Sequence, residues 1–288
     1  MTLLYLECSS GISGDMCAAA LLDAGADEAA VRRALASLPV DGFEVRISRV
    51  TKSGLDVCDF DVVLDAAHEN HDHDMEYLHG HGCDGGEPGH AHDGAHAHAY
   101  GEHDSAHDHN HHHIHEHRGM VEISAIINAA DMTEGARAIA HRIFEIIAEA
   151  EAKAHGTTAD QVHFHEVGAV DSIADVVAIA VALDSLQVDG VVVTDLAEGK
   201  GTVRCQHGVI PVPVPAVVNI AAAHNIALRV LDVQGELVTP TGAAAVSAVR
   251  TTTELPERFT VQRVGMGAGK RAYETPGILR ALLIEPVE

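Results

Sequence analysis

The chain has no tryptophan, aromatic residues make up 3% of it, and 18 Lys or Arg stand against 43 Asp or Glu in 288 residues. Scarce aromatics remove the stacking platforms that single-stranded nucleic acid needs. The formal net charge of −25 argues against the phosphate backbone and against anionic membranes, because both recruit cationic side chains. It suits a cation. The five cysteines, Cys8, Cys17, Cys58, Cys83 and Cys205, form no CxxC pair, so neither a disulfide framework nor a zinc knuckle is expected, and the reducing cytoplasm is the expected compartment. Leu3 to Leu6 lack a basic leader and no apolar run reaches spanning length, which predicts neither a signal peptide nor a membrane helix.

What the chain does contain centres on residues 163–175, HFHEVGAVDSIAD, where two imidazoles and three carboxylates fall within thirteen positions. Alternate side chains of an extended segment share a face, so His163 and His165 point one way and Phe164 toward the core. Glu166 follows, Gly168 permits a turn, and Asp171 stands where a helix N-cap belongs, ahead of apolar residues at helical spacing. Imidazole nitrogen beside carboxylate oxygen is a divalent-metal donor set. His163, His165, Glu166 and Asp171 are therefore candidate metal ligands. The competing reading makes the histidines hydrogen-bonded core residues and the acids helix caps.

Composition predicts an α+β protein in three parts: a small N-terminal α+β unit over 1–67, a disordered His-rich insertion over 68–117, and a larger mixed α/β region over 118–288. In the first part a buried strand at 3–6 leads through ECSSGISGD to a helix beginning near Met16, and strands at 43–50 and 55–64 pair. A loop that opens a helix offers amides to a phosphate, which makes Gly11, Ser13 and Gly14 candidate binding residues. Turn geometry explains the same glycines equally well. In the third part helices are expected over 121–130 and 134–155, the second capped by Asp131. A buried strand is expected at 191–196, a helix opening near Pro215, a strand running into Thr-Pro-Thr-Gly at 239–242, a glycine-rich turn at 264–271, and a closing strand. Thr239, Thr241 and Gly242 form the second candidate anion site.

The insertion is extreme in composition. Seventeen of its fifty residues are His, eleven are Asp or Glu, and none is Lys or Arg. It has too little apolar surface to offset the entropy of ordering, and clusters such as His111, His112, His113 and His115 offer interchangeable sites for nickel, copper or zinc. A flexible segment of that length spans roughly 40 Å, enough to reach most of the folded part.

In order, YLECSSGISGDM, HFHEVGAVDSIAD, GKGTVRCQHGVIPVPVPA, ELVTPTGA and GMGAGKR resemble the nickel-insertion proteins of the nickel-pincer cofactor pathway, the LarC family. Glu7 and Ser9 depart from the Asp and aromatic residue expected of that family. The resemblance implies CTP-dependent insertion of nickel into pyridinium-3,5-bisthiocarboxylic acid mononucleotide, with Mg2+ or Mn2+ accompanying CTP. It also implies a further C-terminal domain handling metal and CTP, which this chain is expected to lack, either as a shorter product or as one half of a two-chain enzyme with a C-terminal partner chain. A client racemase and a homo-oligomeric state are further expectations, and Asp15 and Glu166 are the candidate catalytic residues. The alternative is a nickel metallochaperone or store that catalyses nothing. A metal-dependent hydrolase with Glu166 as base ranks last, because no His at 169 completes HExxH.

Overall fold

A computed structural model describes residues 1–65, 118–162, 164, 170–205 and 208–287. The helices are α1 (Gly14–Asp23), α2 (Glu28–Ala36), α3 (Met120–Ala129), α4 (Glu134–His155), α5 (Val170–Leu186), α6 (Pro215–His224) and α7 (Pro240–Val249). The strands are β1 (Leu3–Glu7), β2 (Phe43–Lys52), β3 (Leu55–Leu64), β4 (Gly190–Val192), β5 (Leu196–Lys200), β6 (Thr202–Cys205), β7 (Gly208–Pro211), β8 (Leu228–Gln234), β9 (Phe259–Ala268) and β10 (Ile278–Pro286). This is the α+β composition expected. The insertion expected to be disordered, with His111, His112, His113 and His115, lies outside the described residues.

Six strands form one mixed sheet in the order β2-β3-β9-β10-β1-β4. Strands from both sides of the His-rich tract therefore share a sheet, with β9 pairing β10 antiparallel and meeting β3 in parallel at Cys58 and Gly267. Side chains alternate across β1, so Leu4 and Leu6 enter the main helix-covered core while Leu3 joins Val192, Leu282 and Ile284 on the opposite face. The hairpin β2–β3 closes through Ser53 and Gly54, both at positive φ, which suits the right-handed twist of paired strands. Helix α4 lies against α5, α6 and α7. Two ribbons complete the chain, β5–β8 parallel and β6–β7 antiparallel.

Several sequence expectations are corrected. The run 191–196 is two elements, because the chain leaves β4 after Val192 and enters a different sheet at Leu196. Thr133, whose Oγ1 accepts from the Ala136 amide at 3.0 Å, caps α4, while Asp131 instead faces Arg33 at 3.4 Å. Asp171 does not cap: α5 begins at Val170, and Asp171 accepts from the Ser172 amide within the first turn. Val238 makes only an isolated bridge to Ile12. The glycine-rich stretch from 264 is mostly strand, and the turn starts at Gly269.

The reason for the last correction lies in packing. A Cβ on Gly265 would meet backbone of Ala20 and Ala24, and one on Gly267 would meet backbone of Met16 and Ala20. Helix α1 thus lies on β9 at a distance only bare backbone allows. Gly267→Ala should push α1 off the sheet and lower stability by about 1–3 kcal/mol, the usual cost of overpacking, read from the midpoint of denaturant unfolding. An unchanged midpoint would contradict the close approach.

Candidate functional site

Two helix starts that are 226 positions apart in the sequence meet at one junction: α1 begins at Gly14 and α7 at Pro240. The Ile12 amide donates to the Leu237 carbonyl at 2.9 Å, and the Thr239 amide donates to the Ile12 carbonyl at 3.0 Å. Gly11, at φ +87°, and Gly242 both press on backbone of the opposite segment, leaving no room for a Cβ. Thr239 Oγ1 accepts from the Gly242 amide at 3.2 Å and so caps α7, while Thr241 is buried. The six residues singled out for anion binding, Gly11, Ser13, Gly14, Thr239, Thr241 and Gly242, therefore occupy neighbouring segments.

Carboxylates dominate the α1 side. Asp15 accepts from Ser13 Oγ and from the Met16 amide, and Asp175 accepts from the Asp15 amide. Any side chain at Gly14 would strike the Asp175 carboxylate. Desolvation pushes the Asp15 carboxyl upward, and desolvation followed by repulsion from Asp15 and Asp171 pushes Asp175 well above the usual range. The amides that would serve an anion at this helix start are already taken by acids. Helix α7 differs, having no acidic residue in its first turn. The electrostatics divide the junction into a cation-receptive side at Asp15 and Asp175 and an anion-tolerant side at Thr239 to Gly242.

Basic residues near the glycine loops are neutralised by acids. Lys270 bridges Asp59 and Asp61, both at 2.9 Å; Arg271 meets Glu236 at 3.0 Å; Lys200 meets Asp232 and Arg280 meets Glu7. Lys270 also offsets the charge on Asp15 and Asp175. The buried thiols of Cys8, Cys17 and Cys58 are pushed up by desolvation, Cys17 to about 12 and Cys58 to about 11. That makes them poor thiolate ligands.

Among the described residues no group of three or more His, Cys, Asp or Glu is arranged to hold a metal ion. His163, His165 and Glu166, the centre of the predicted metal site, lie outside those residues. Phe164 between the two histidines is core as expected, 3% exposed, its amide donating to the Arg118 carbonyl at 3.1 Å and its ring edge-on to Phe144 at 6.3 Å. Asp171 stands one helical turn before Asp175 and raises its pKa. Among the described residues no helix is long and apolar enough to cross a membrane.

Sequence reasoning passed over Glu198, the only charged side chain among the fully buried residues described. Its Oε1 accepts from the amides of Gly199 (2.8 Å), Leu237 (2.7 Å) and Val238 (3.2 Å), while Oε2 has no hydrogen-bond partner in the structure. The available signal was a glutamate inside the otherwise apolar start of β5.

A carboxyl with a raised folded-state pKa keeps its proton after the unfolded chain has lost it, so the folded state binds more protons and stability falls as pH rises above the ordinary 3.8. In metal-free protein, Asp175→Asn should raise stability at pH 7 by about 1 kcal/mol and flatten that decline. Thermal unfolding between pH 4 and 8 reads both, and a loss of stability at pH 7 would contradict the geometry.

The family described as nickel insertion protein matches residues 4–288. A pyridinium-3,5-bisthiocarboxylic acid mononucleotide nickel insertion protein of Alkaliphilus metalliredigens is 45% identical over 98% of this chain and 60% of its own length. A protein of the same description from Clostridium acetobutylicum is 42% identical over 99% of the chain and 64% of its own length, and one from Akkermansia muciniphila is 36% identical over 100% and 61%. No solved structure matches. The chain spans about three fifths of the length of these curated relatives. From end to end of the match, the chain belongs to the nickel insertion protein family.

Proposed function

We propose that this chain takes part in inserting nickel into pyridinium-3,5-bisthiocarboxylic acid mononucleotide, the substrate named for its relatives, to give the nickel-pincer cofactor. The observation that carries this reading is the junction of α1 and α7. There a carboxylate pair stands beside a helix start free of acids, so a divalent cation and a phosphomonoester can approach one another.

In this reading nickel is a substrate, held during transfer by His163, His165, Glu166 and Asp171. Imidazole and carboxylate suit the ion before transfer and the two thiocarboxylate sulfurs suit it after. Ligand exchange on a metal is coupled to proton movement, and Asp15, whose carboxyl is raised by desolvation, is placed to take up or release such protons, with Glu166 as the second group. Thr239, Thr241 and Gly242 hold the mononucleotide phosphate against the floor formed by Gly11, Ser13 and Gly14. CTP, with Mg2+ or Mn2+, is handled by a C-terminal partner chain, and the client racemase receives the product. The assembly is a cytoplasmic homo-oligomer.

A second reading, a nickel metallochaperone or store, draws on the seventeen histidines of 68–117. A store has no use for an organic ligand. The two separate in one assay: the chain with nickel, CTP and the dithio-ligand, with and without a separate C-terminal partner, should yield nickel-pincer nucleotide in at least one arm. No product in either arm, together with no calorimetric binding of the mononucleotide, would leave the store reading standing.

The His-rich tract has its own test. Removing 68–117 should weaken nickel loading at limiting metal and spare activity in excess metal. His163→Ala with His165→Ala in that background should abolish stoichiometric nickel binding. Uptake in the intact chain should fall as pH drops through about 6.5, where imidazole gains a proton and loses its lone pair. Activity lost in excess metal on removing the tract, or tight stoichiometric binding without the two histidines, would overturn the respective assignment.

A further inference from the structure

Glu198 is fully buried on β5, yet among the described residues its carboxylate makes no salt bridge and serves backbone amides instead. The β5–β8 register shifts between Glu198 and Lys200, and at that irregularity the Gly199 amide turns to Glu198 Oε1. A Cβ on Gly199 would collide with the Gly235 carbonyl, so the segment after β8 runs directly against this bulge. That closeness brings the amides of Leu237 and Val238 to the same oxygen at 2.7 and 3.2 Å. One acceptor thus gathers three backbone donors from two segments 39 positions apart.

Those two residues are the ones that join the helix starts. The Leu237 carbonyl accepts from the Ile12 amide, Val238 bridges Ile12, and the Thr239 amide returns to the Ile12 carbonyl. On one side the chain runs through Ser13 to Asp15, and on the other through Thr239 to Gly242. A displacement of 237–238 is therefore a displacement of one helix start relative to the other. Among the described residues the tether is made of amides and no ion pair competes for the role; burial pushes the Glu198 carboxyl upward, and the amides of Leu237, Gly199 and Val238 oppose it.

We propose that Glu198 is a positioning residue for nickel insertion: by tethering Leu237 and Val238 it sets the spacing between Asp15 at the start of α1 and Thr239 to Gly242 at the start of α7. This rests on the reading of that junction as the insertion site. Glu198 itself touches neither nickel nor the mononucleotide. Its second oxygen has no hydrogen-bond partner among the described residues, and burial pushes the carboxyl upward, toward the neutral form. Glutamine, which is neutral and of the same shape, is the faithful replacement. Aspartate keeps the acid but is shorter by about 1.5 Å, too short to reach the Leu237 amide without moving it.

The test uses the full chain and three variants, E198Q, E198D and E198A. Calorimetry measures affinity for pyridinium-3,5-bisthiocarboxylic acid mononucleotide, and amide exchange is followed over 8–16, 236–242 and α4. Glutamine should bind within about threefold of the unsubstituted chain. E198D and E198A should lose about tenfold or more, since they leave buried amides unpaired and shift the segment that carries them, and should exchange faster over 8–16 and 236–242 while α4 stays protected. Protection of α4 separates a shifted junction from general unfolding, and E198D supplies the answer if E198A does not fold. Aspartate at full affinity, glutamine as weak as alanine, or unchanged exchange at both segments would overturn the proposal. If the unsubstituted chain itself does not bind the mononucleotide, the proposed function fails, and the exchange pattern still decides whether Glu198 sets the junction.

Discussion

Everything about the site depends on one close approach, the seating of α1 on the bare backbone of β9 at Gly265 and Gly267. Because the helix lies that near the sheet, its first residues are carried to the end of β9 beside the middle of β3, where Lys270 bridges Asp59 and Asp61. Its other flank meets α5, and Gly14 leaves the space that the Asp175 carboxylate fills. A single helix is thereby fixed against strands from both ends of the chain and a helix from its middle. The Asp15 and Asp175 pair is a product of that seating and of no local motif.

The charges at this junction are arranged against the commonest use of a glycine loop before a helix. Such a loop ordinarily presents amides to a phosphate, but here Asp175 takes the Asp15 amide and Asp15 takes the Met16 amide. Placing two desolvated acids together costs free energy in the resting protein, and a cation between or beside them relieves it. The start of α7, capped by Thr239 and free of acids, retains the ordinary preference. A chain of net charge −25 thus keeps one end of one junction tolerant of an anion. The loop cations do not create this, since Lys270, Arg271, Lys200 and Arg280 are each held by carboxylates.

Elements specified by neighbours in sequence were legible. The β2–β3 hairpin follows from alternating apolar residues around Ser53-Gly54; α6 and α7 open at prolines whose missing amide costs nothing at a first turn; and Phe164 enters the core between two polar neighbours. Elements specified by distant contacts were misread. Gly265 and Gly267 suggest a turn in isolation, yet they sit in a strand because α1 crosses it. Val191 to Leu196 look like one buried strand and divide between two sheets. Thr133, two positions on, outcompetes Asp131 as a cap through backbone geometry that composition does not encode.

By itself, then, the sequence determined the α+β composition, the helix openings at Pro215 and Pro240, the His-rich character of 68–117 and the family, since each of these is a matter of local spacing or of motif order. Only the tertiary structure decided that β9 lies between β3 and β10, that Asp15 meets Asp175, that the starts of α1 and α7 join through Ile12, and that Glu198 tethers them. The physical reason is the same in each case. A backbone amide or a desolvated carboxylate finds its partner across tens to hundreds of residues of chain, from 39 for Glu198 and Leu237 upward, and which partner it finds depends on packing distance, a quantity no stretch of sequence carries alone.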